Sequence, residues 1–316
     1  MTTMLKVLGG LLLVLVLLVA GGVALSWAPD RDVETLKARW APPPSQFVDI
    51  DGLRVHLRDE GPRDDPRPIV LLHGTSASLH TWDGWADALK PTRRVVRMDL
   101  PGFGLTGPVP DNNYQLTRYV AFVVAVMDRL GVQQAVVAGN SFGGNLAWKL
   151  AVDHPQRVSQ LVLVDAAGYP ADPTSVPLGF KVAQVPWLRP VMQNVLPRSM
   201  IESSVRNVYG DPAKVTPELI DRYFELTLRA GNRQALGERF RQSPSGQHAA
   251  DIPRVKQPTL IIWGGQDRLI PPENADRFQR DIAGSRLVVF DDLGHVPHEE
   301  DPVRTLAAVR AFVGQP

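Results

Sequence analysis

The sequence predicts an α/β domain: a mostly parallel central sheet with helices on both faces and an inserted helical cap. Apolar runs of strand length, such as PIVLLHG from Pro68 and QAVVAGNS from Gln134, alternate with helical stretches. Strands made almost wholly of valine, isoleucine and leucine, interleaved with helices, indicate a parallel sheet that is buried on both faces. The alternation breaks between about 168 and 247, where apolar-periodic helices occur without a buried strand, and then resumes.

The predicted organisation is a membrane or signal segment at 1–28, a proline-rich linker at 29–45 and one α/β domain at 46–316. The three prolines of APPPS cannot continue a helix, so they separate the first segment from the domain. The domain begins with FVDIDGLRVHLRDEG, whose period-two alternation around Asp51-Gly52 predicts a hairpin. Two strands follow the cap, so we expect a cap within one domain rather than two domains.

Composition excludes several classes of function. The 316 residues are 44% hydrophobic and 21% charged, and their formal net charge is +1. This balance, without any lysine- or arginine-rich run, argues against nucleic-acid binding. The chain has no cysteine, which excludes disulfides, thiolate metal sites and a cysteine nucleophile.

The N-terminal segment predicts membrane association. No charged residue occurs from Val7 to Trp27, and about 20 apolar residues in a helix span a hydrocarbon core of about 30 Å. The alternative is a cleaved signal peptide, for which Ala24 and Ser26 offer a small-residue site, although its apolar stretch is usually about 7–15 residues. More cations follow the span than precede it, which taken alone favours a cytoplasmic catalytic domain. We expect the extracytoplasmic side, because Lys6 precedes the apolar run as in a secretory signal.

The pattern Gly139-Asn140-Ser141-Phe142-Gly143 indicates a nucleophilic serine. It matches G-x-S-x-G, the sharp strand-to-helix turn that projects a serine from the edge of a sheet. The serine backbone is strained there and other chain segments approach closely, so the positions two before and two after must be very small. An apolar strand pattern precedes the turn and a helical pattern follows it. The alternative is a glycine-rich strand end with an incidental serine.

A serine hydroxyl is a weak nucleophile until a base accepts its proton. The partners are expected in the order Ser, then Asp or Glu, then His. Asp267 follows the strand TLIIWGG and His295 follows RLVVFDDLG, so both are predicted at the carboxyl ends of strands, where ligands bind in open α/β sheets. The alternatives are Asp165, which also ends a strand, as the acid and His298 as the base.

Two backbone amides are expected to form an oxyanion hole. One is the amide of Phe142, directly after the nucleophile, and the other is the amide of Thr75 in the loop LLHGTS. His73 in that loop and Asp99 after the next strand are expected to order their own loops rather than to act in catalysis.

Two further patterns are not interpreted as cofactor or metal sites. GFGLTG from Gly102 matches G-x-G-x-x-G, but the prolines that follow prevent the helix that a dinucleotide site needs. His295, His298 and Glu299 lack the i, i+4 histidine spacing of a zinc protease helix. The sequence therefore predicts no cofactor and no metal.

The cap is rich in large apolar side chains, which indicates a substrate with an apolar acyl or alcohol moiety. The candidate substrate-binding residues are Phe180, Trp187, Met192 and Tyr223. The alternative is that these side chains only pack the cap helices together.

From about Gln46 to the C-terminus the chain resembles the α/β-hydrolase superfamily. The motifs that carry the resemblance are LLHGT, DLPGFGLTG, GNSFGG, WGGQDRLIPP and LGHVPHEEDP. The resemblance implies the α/β-hydrolase fold, a triad of Ser141, Asp267 and His295, and a cap over the pocket at about 168–247. Haloalkane dehalogenases and epoxide hydrolases of this fold carry an aspartate nucleophile, where this chain has a serine.

GNSFGG is also similar to the turn of the carbon–carbon hydrolases that cleave ring-fission products, which often has the sequence GNSMGG. Those enzymes usually have a longer glycine-rich oxyanion loop and a tryptophan soon after the histidine. This chain has HGTSAS in the loop and Val296 after His295.

Together these residues predict a serine hydrolase that cleaves carboxylic esters with an apolar moiety through an acyl-enzyme, tethered to a membrane. One alternative is carbon–carbon bond hydrolysis with the same triad. The other is a non-catalytic, membrane-tethered binding protein on a hydrolase scaffold.

Overall fold

Short runs of β-branched and other apolar residues form a central sheet in the computed structural model, which describes residues 2–170, 174–185, 187 and 193–314. The strands are β1 Gln46–Ile50, β2 Leu53–Glu60, β3 Ile69–Leu72, β4 Val95–Met98, β5 Ala135–Asn140, β6 Val158–Val164, β7 Thr259–Gly264 and β8 Arg286–Phe290. Their order in the sheet is β1-β2-β4-β3-β5-β6-β7-β8, and pairing is antiparallel at β1–β2 and β2–β4 and parallel from β4 onward. The predicted α/β architecture is therefore confirmed.

The parallel strands bring their carboxyl ends to one edge of the sheet. Leu72 at the end of β3 pairs with Gly139 of β5, and Val164 at the end of β6 pairs with Ile262 of β7. The loops that leave these strands therefore meet at a single edge. Loops in this position carry the ligand-binding residues of open α/β sheets.

The predicted hairpin is formed by β1 and β2. Asp51 and Gly52 have φ angles of 50° and 77°, the positive values that a two-residue type I′ turn requires. Aspartate and glycine are among the residues that tolerate them.

Helices cover both faces of the sheet. The described helices are α1 Thr2–Leu25, α2 Val33–Trp40, α3 Asp83–Leu89, α4 Leu116–Arg129, α5 Phe142–Asp153, α6 Leu178–Ala183, α7 Arg198–Val208, α8 Pro217–Thr227, α9 Asn232–Gln242, α10 Glu273–Asp281, α11 Pro297–Glu300 and α12 Pro302–Val313. Helices α4, α5 and α10 pack on one face of the sheet, and α3 and α12 pack on the other. Strand β3 contributes Val70 and Leu72 to the first cluster and Ile69 and Leu71 to the second, as the alternation of side chains along a strand requires.

Helices α6 to α9 lie between β6 and β7 in the chain, where the sequence predicts the cap. The amphipathic helices α7 and α8 pack on each other, and Val205 and Ile220 are buried in the cluster that they share with Val296. This cluster connects the cap helices to the loop that carries His295.

The first helix, α1, exposes its apolar side chains. Its 20-residue stretch Lys6–Leu25 has a mean hydropathy of 2.8, and none of its most apolar window is buried. By length and composition this stretch can cross a membrane, although a signal sequence can have the same length and composition.

The segment expected to be a linker contains helix α2. The Asp32 side chain caps this helix by accepting a hydrogen bond from the Glu34 amide at 2.8 Å. Leu36 and Trp40 are buried against Leu226 of α8. The part after α2, with the three prolines, is non-helical and contains a turn in which the Ser45 amide donates to Pro42 O at 3.1 Å. The sequence pattern does not predict α2, because so short a helix gains its stability from packing against residues distant in the chain.

The chain between α1 and α2 is hydrogen-bonded to the cap. The Ala28 amide donates to Asn194 O at 2.8 Å, and the Leu196 amide donates to Ser26 O at 2.9 Å. The Asp30 carboxylate accepts from the Gly231 amide at 2.9 Å. The end of α1 is therefore attached directly to the cap.

Candidate active site

Ser141 occupies the sharp turn between β5 and α5. Its φ and ψ angles are 55° and −117°, a strained conformation for a residue with a side chain. A Cβ atom on Gly139 would overlap the Gly143 backbone, and one on Gly143 would overlap the Leu72 carbonyl. The close approach expected from the sequence pattern is therefore present, and it explains why these two positions are glycine.

The structure brings His295 and Asp267 together. Asp267 lies three residues beyond β7, and His295 lies five residues beyond β8. His295 Nδ1 is 2.6 Å from Asp267 Oδ2, while Asp267 Oδ1 accepts from the amides of Leu269 at 2.8 Å and Ile270 at 2.9 Å. This arrangement fixes the imidazole ring with Nε2 free to act as a base.

Ser141 and His295 line the same cavity, whose volume is about 230 Å³. Ser141 Oγ forms no hydrogen bond with a described residue, and such contacts often form only when substrate binds. The cap side of the cavity is largely apolar, with side chains from Phe180, Val182, Leu196, Ile201, Val205 and Leu236. The polar side chains of Ser141 and His295 thus lie at the base of a largely apolar cavity.

The two amides expected to form an oxyanion hole lie near the candidate nucleophile. Thr75 lines the cavity beside Ser141. Phe142 is the first residue of α5, where the amides carry the positive end of the helix dipole. Neither amide donates a hydrogen bond to a described residue. Thr75 is among the cavity-lining residues and Phe142 is not, so the predicted role of the Phe142 amide rests on its position directly after Ser141.

His73 and Asp99 order their loops, as expected. His73 Nδ1 lies 2.7 Å from Gly74 O, and its Nε2 accepts from the Leu100 amide at 2.9 Å. Asp99 accepts from the Leu79 amide at 2.8 Å and the Leu105 amide at 2.7 Å. These bonds join the loop that carries Thr75 to its neighbours.

The four candidate substrate-binding residues occupy different positions. Phe180 and Tyr223 line the cavity; the Tyr223 hydroxyl donates to Glu299 Oε2 at 2.9 Å. Trp187 is 77% exposed and is not among the cavity-lining residues, since its ring lies on the outer surface. Met192 lies outside the described residues.

His298, the alternative base, and Glu299, an alternative metal ligand, do not line the cavity. His298 is buried, with its ring centroid 3.9 Å from that of Trp82, and burial lowers its pKa well below the usual range. Glu299 pairs with Arg222. Among the described residues, these two side chains and His295 do not form a group that could bind one metal ion.

Sequence reasoning missed two residues that hold the His295 loop. Asn140 Nδ2 donates to His295 O at 2.9 Å and to Val164 O at 3.1 Å. The Glu300 carboxylate accepts from the amides of Gly294 and Gly210, both at 2.9 Å. The only signal in the sequence is that Asn140 lies within the motif GNS and Glu300 within HEED. Their hydrogen-bond partners are backbone atoms, which no sequence pattern identifies.

Comparison with known proteins supports a hydrolase. The sequence model of the α/β-hydrolase fold matches residues 67–302. The chain is 30% identical over 272 residues to 2-hydroxymuconate semialdehyde hydrolase of Pseudomonas putida, a match that covers 84% of this chain and 92% of that protein.

Two solved structures are similar in fold. A meta-cleavage product hydrolase from Pseudomonas fluorescens IP01 has a TM-score of 0.73 at 26% identity and covers 85% of this chain and 97% of that chain. A membrane phospholipase A, a bacterial virulence factor, has a TM-score of 0.72 at 26% identity and covers 98% of this chain and 97% of that chain. The second match therefore includes the N-terminal region as well as the α/β domain.

Proposed function

The chain belongs to the α/β-hydrolase fold family, and on that basis we propose that it hydrolyses carboxylic esters with an apolar acyl group through an acyl-enzyme on Ser141. The observation that carries this proposal is the position of Ser141 and His295 in a cavity whose cap side is largely apolar. Such a cavity favours an acyl chain over a polar substrate.

The proposed reaction has two halves. His295 Nε2 accepts the Ser141 proton as Oγ attacks the ester carbonyl, and Asp267 stabilises the imidazolium. The amides of Thr75 and Phe142 bind the oxyanion, where one such donor is typically worth about 10²–10³ in kcat. His295 then protonates the departing alcohol. In the second half it activates a water that releases the carboxylic acid.

The membrane is the proposed source of the substrate. Helix α1 is long and apolar enough to serve as an anchor, and the chain leaving it is hydrogen-bonded to the cap. The similarity to a membrane phospholipase A along 98% of this chain supports a lipid ester as the substrate class. We place the catalytic domain on the extracytoplasmic side, as the signal-like order of Lys6 and the apolar run suggests.

The experiment is hydrolysis of p-nitrophenyl esters from acetate to palmitate by the full chain in detergent and by Ser141→Ala. Each methylene that enters the apolar cavity should stabilise the bound transition state by about 0.8 kcal/mol. We therefore expect kcat/KM to rise about fourfold per methylene until the cavity is filled. We expect Ser141→Ala to lose a factor on the order of 10⁶. A folded wild-type protein that hydrolyses no ester would contradict the proposal.

A second candidate is hydrolysis of a carbon–carbon bond with the same triad. The similarity to 2-hydroxymuconate semialdehyde hydrolase favours it. The disappearance of a coloured dienol substrate, measured beside the ester series, separates the two activities. A chain that acts on neither substrate, and does not react with a serine-directed phosphonate, would instead be a non-catalytic binding protein.

A further inference from the structure

A second buried carboxylate lies beside the candidate triad. Asp165 follows directly on β6, its side chain is fully buried, and its φ angle is 45°. Because β6 pairs with β7, Asp165 is brought next to Asp267. A carboxylate oxygen of each residue and a ring nitrogen of His295 all lie within 4.8 Å of one another.

The hydrogen bonds to the two carboxylates are unequal. Asp267 accepts three, from the Leu269 amide, the Ile270 amide and His295 Nδ1. Asp165 accepts one, from the Gly264 amide to Oδ1 at 2.9 Å. No described residue donates to Asp165 Oδ2. No described arginine or lysine pairs with either carboxylate.

Two carboxylates that share a buried site cannot both be ionised, because each charge disfavours the other. The proton is held by the carboxyl whose ionised form has fewer donors, which is Asp165. Burial, the negative charge of Asp267 and, more weakly, that of Glu300 raise the pKa of Asp165 well above its usual range. Asp267, a carboxylate oxygen of which lies within 4.8 Å of one of Asp165, is the neighbouring acceptor for a proton on Oδ2.

We propose that Asp165 is a neutral carboxylic acid that donates a hydrogen bond from Oδ2 to the Asp267 carboxylate and so positions the acid that orients His295. This inference rests on the proposed function, because it assigns Asp267 and His295 to the triad. Asp165 does not contact the reacting atoms, so it is a positioning residue. Its donated bond fixes the Asp267 carboxylate and draws negative charge away from the oxygen that faces His295.

A pair of variants tests this assignment. Asp165→Asn has nearly the same shape and retains an N–H donor, so we expect kcat to stay within about threefold of wild type. Asp165→Ala removes the donor, so we expect kcat to fall about tenfold with KM unchanged. A loss in Asp165→Asn as large as that in Asp165→Ala would show that Asp165 is ionised and overturn the proposal.

The pH profile of kcat provides a readout that loss of packing alone would not move. Without the donor, Asp267 attracts the imidazolium more strongly, so the acid limb should move to higher pH in Asp165→Ala and stay in place in Asp165→Asn. The other titratable groups facing this site are Glu300 and His298, and both variants retain them. An acid limb that moves equally in both variants contradicts the proposal.

Infrared spectroscopy tests the protonation state without any substrate. At neutral pH the wild-type protein should show the carbonyl band of a buried carboxylic acid, and Asp165→Asn should lack it. A wild-type protein without this band overturns the proposal even if Asp165→Ala fails to fold. A band that is present in a protein without esterase activity would overturn only the proposed function.

Discussion

Asn140 shows how one side chain at the nucleophile turn holds two other parts of the site. Its amide group joins the end of β6 to the loop of His295 through two bonds to backbone carbonyls. Both carbonyls belong to buried residues. The Val164 carbonyl also accepts from the Ser141 amide at 3.0 Å, so loss of the Asn140 side chain leaves the His295 carbonyl without its donor, at a cost of about 1–3 kcal/mol.

We therefore predict that Asn140→Ala lowers the free energy of unfolding by about 2 kcal/mol and kcat by about tenfold, because the His295 loop becomes less fixed. The matched control is Gln134→Ala, since the Gln134 side chain donates to a backbone carbonyl on the exposed surface. Urea unfolding and ester hydrolysis measure the two effects. Equal behaviour of the two variants would contradict a positioning role for Asn140.

The sequence identified residues at strand ends more readily than residues on the cap. Asp267 and His295 each follow a buried strand, and parallel topology brings such positions to one edge of the sheet. Phe180 and Trp187 are both large apolar residues of the cap, yet only Phe180 lines the cavity. Which side of a short cap helix faces inward depends on tertiary packing, and this is not encoded in the residue type.

At the scale of elements, helix α2 is the main departure from the sequence-based expectation. Three prolines in succession indicate that no helix continues through them, but they give no sign of the eight-residue helix that precedes them. That helix is held by contacts distant in sequence: Trp40 Nε1 donates to Glu225 Oε2 at 2.6 Å, and His80 Nε2 lies 2.8 Å from Trp40 O. The sequence offers Asp165 and Asp267 as alternative acids at strand ends, but not as neighbours, because the cap separates β6 from β7 in the chain.

The His80 contact predicts a pH dependence of stability. Burial lowers the pKa of His80 to about 3, whereas the unfolded chain binds this proton near pH 6.5. Between these two values the unfolded state binds more protons, so stability falls as pH falls, by about 1.4 kcal/mol per pH unit for one such group.

His80→Gln retains hydrogen-bonding groups but does not titrate, so its free energy of unfolding should vary less between pH 6.5 and about 4 than that of wild type. Urea unfolding at several pH values measures the slopes. His248→Gln, at a side chain that is 27% exposed, controls for the removal of a histidine. Parallel slopes for wild type and His80→Gln would refute the assignment of this pH dependence to His80.

At the scale of the whole molecule, apolar surface is concentrated on α1 and recurs on the cap. Leu178 and Trp187 on the cap are 57% and 77% exposed. The cap is also the part of the protein to which the end of α1 is hydrogen-bonded, so exposed apolar side chains of this size on the cap support the proposed contact with a lipid surface. Such contact would direct the cavity toward the substrate that we propose.

We predict that Trp187→Ser lowers the hydrolysis of esters presented in lipid vesicles by about three- to tenfold, since a large apolar side chain no longer enters the interface. Hydrolysis of a short, water-soluble ester should stay within about twofold of wild type. Val303→Ser is the matched control, because Val303 is 79% exposed on α12, outside the cap. A loss of activity on both kinds of substrate would instead assign Trp187 a role in the fold of the cap.

The hydrogen bonds between the cap and the chain that leaves α1 also determine where a truncated protein without α1 has to begin if the cap is to keep its partners. A form starting at Gln46, where the sheet starts, would lack the partners of Asn194, Leu196 and Gly231 as well as the whole of α2. A form starting at Ser26 retains all of them and omits only the apolar helix. The smallest unit that keeps the cap intact therefore begins twenty residues before the first strand, directly at the predicted membrane surface.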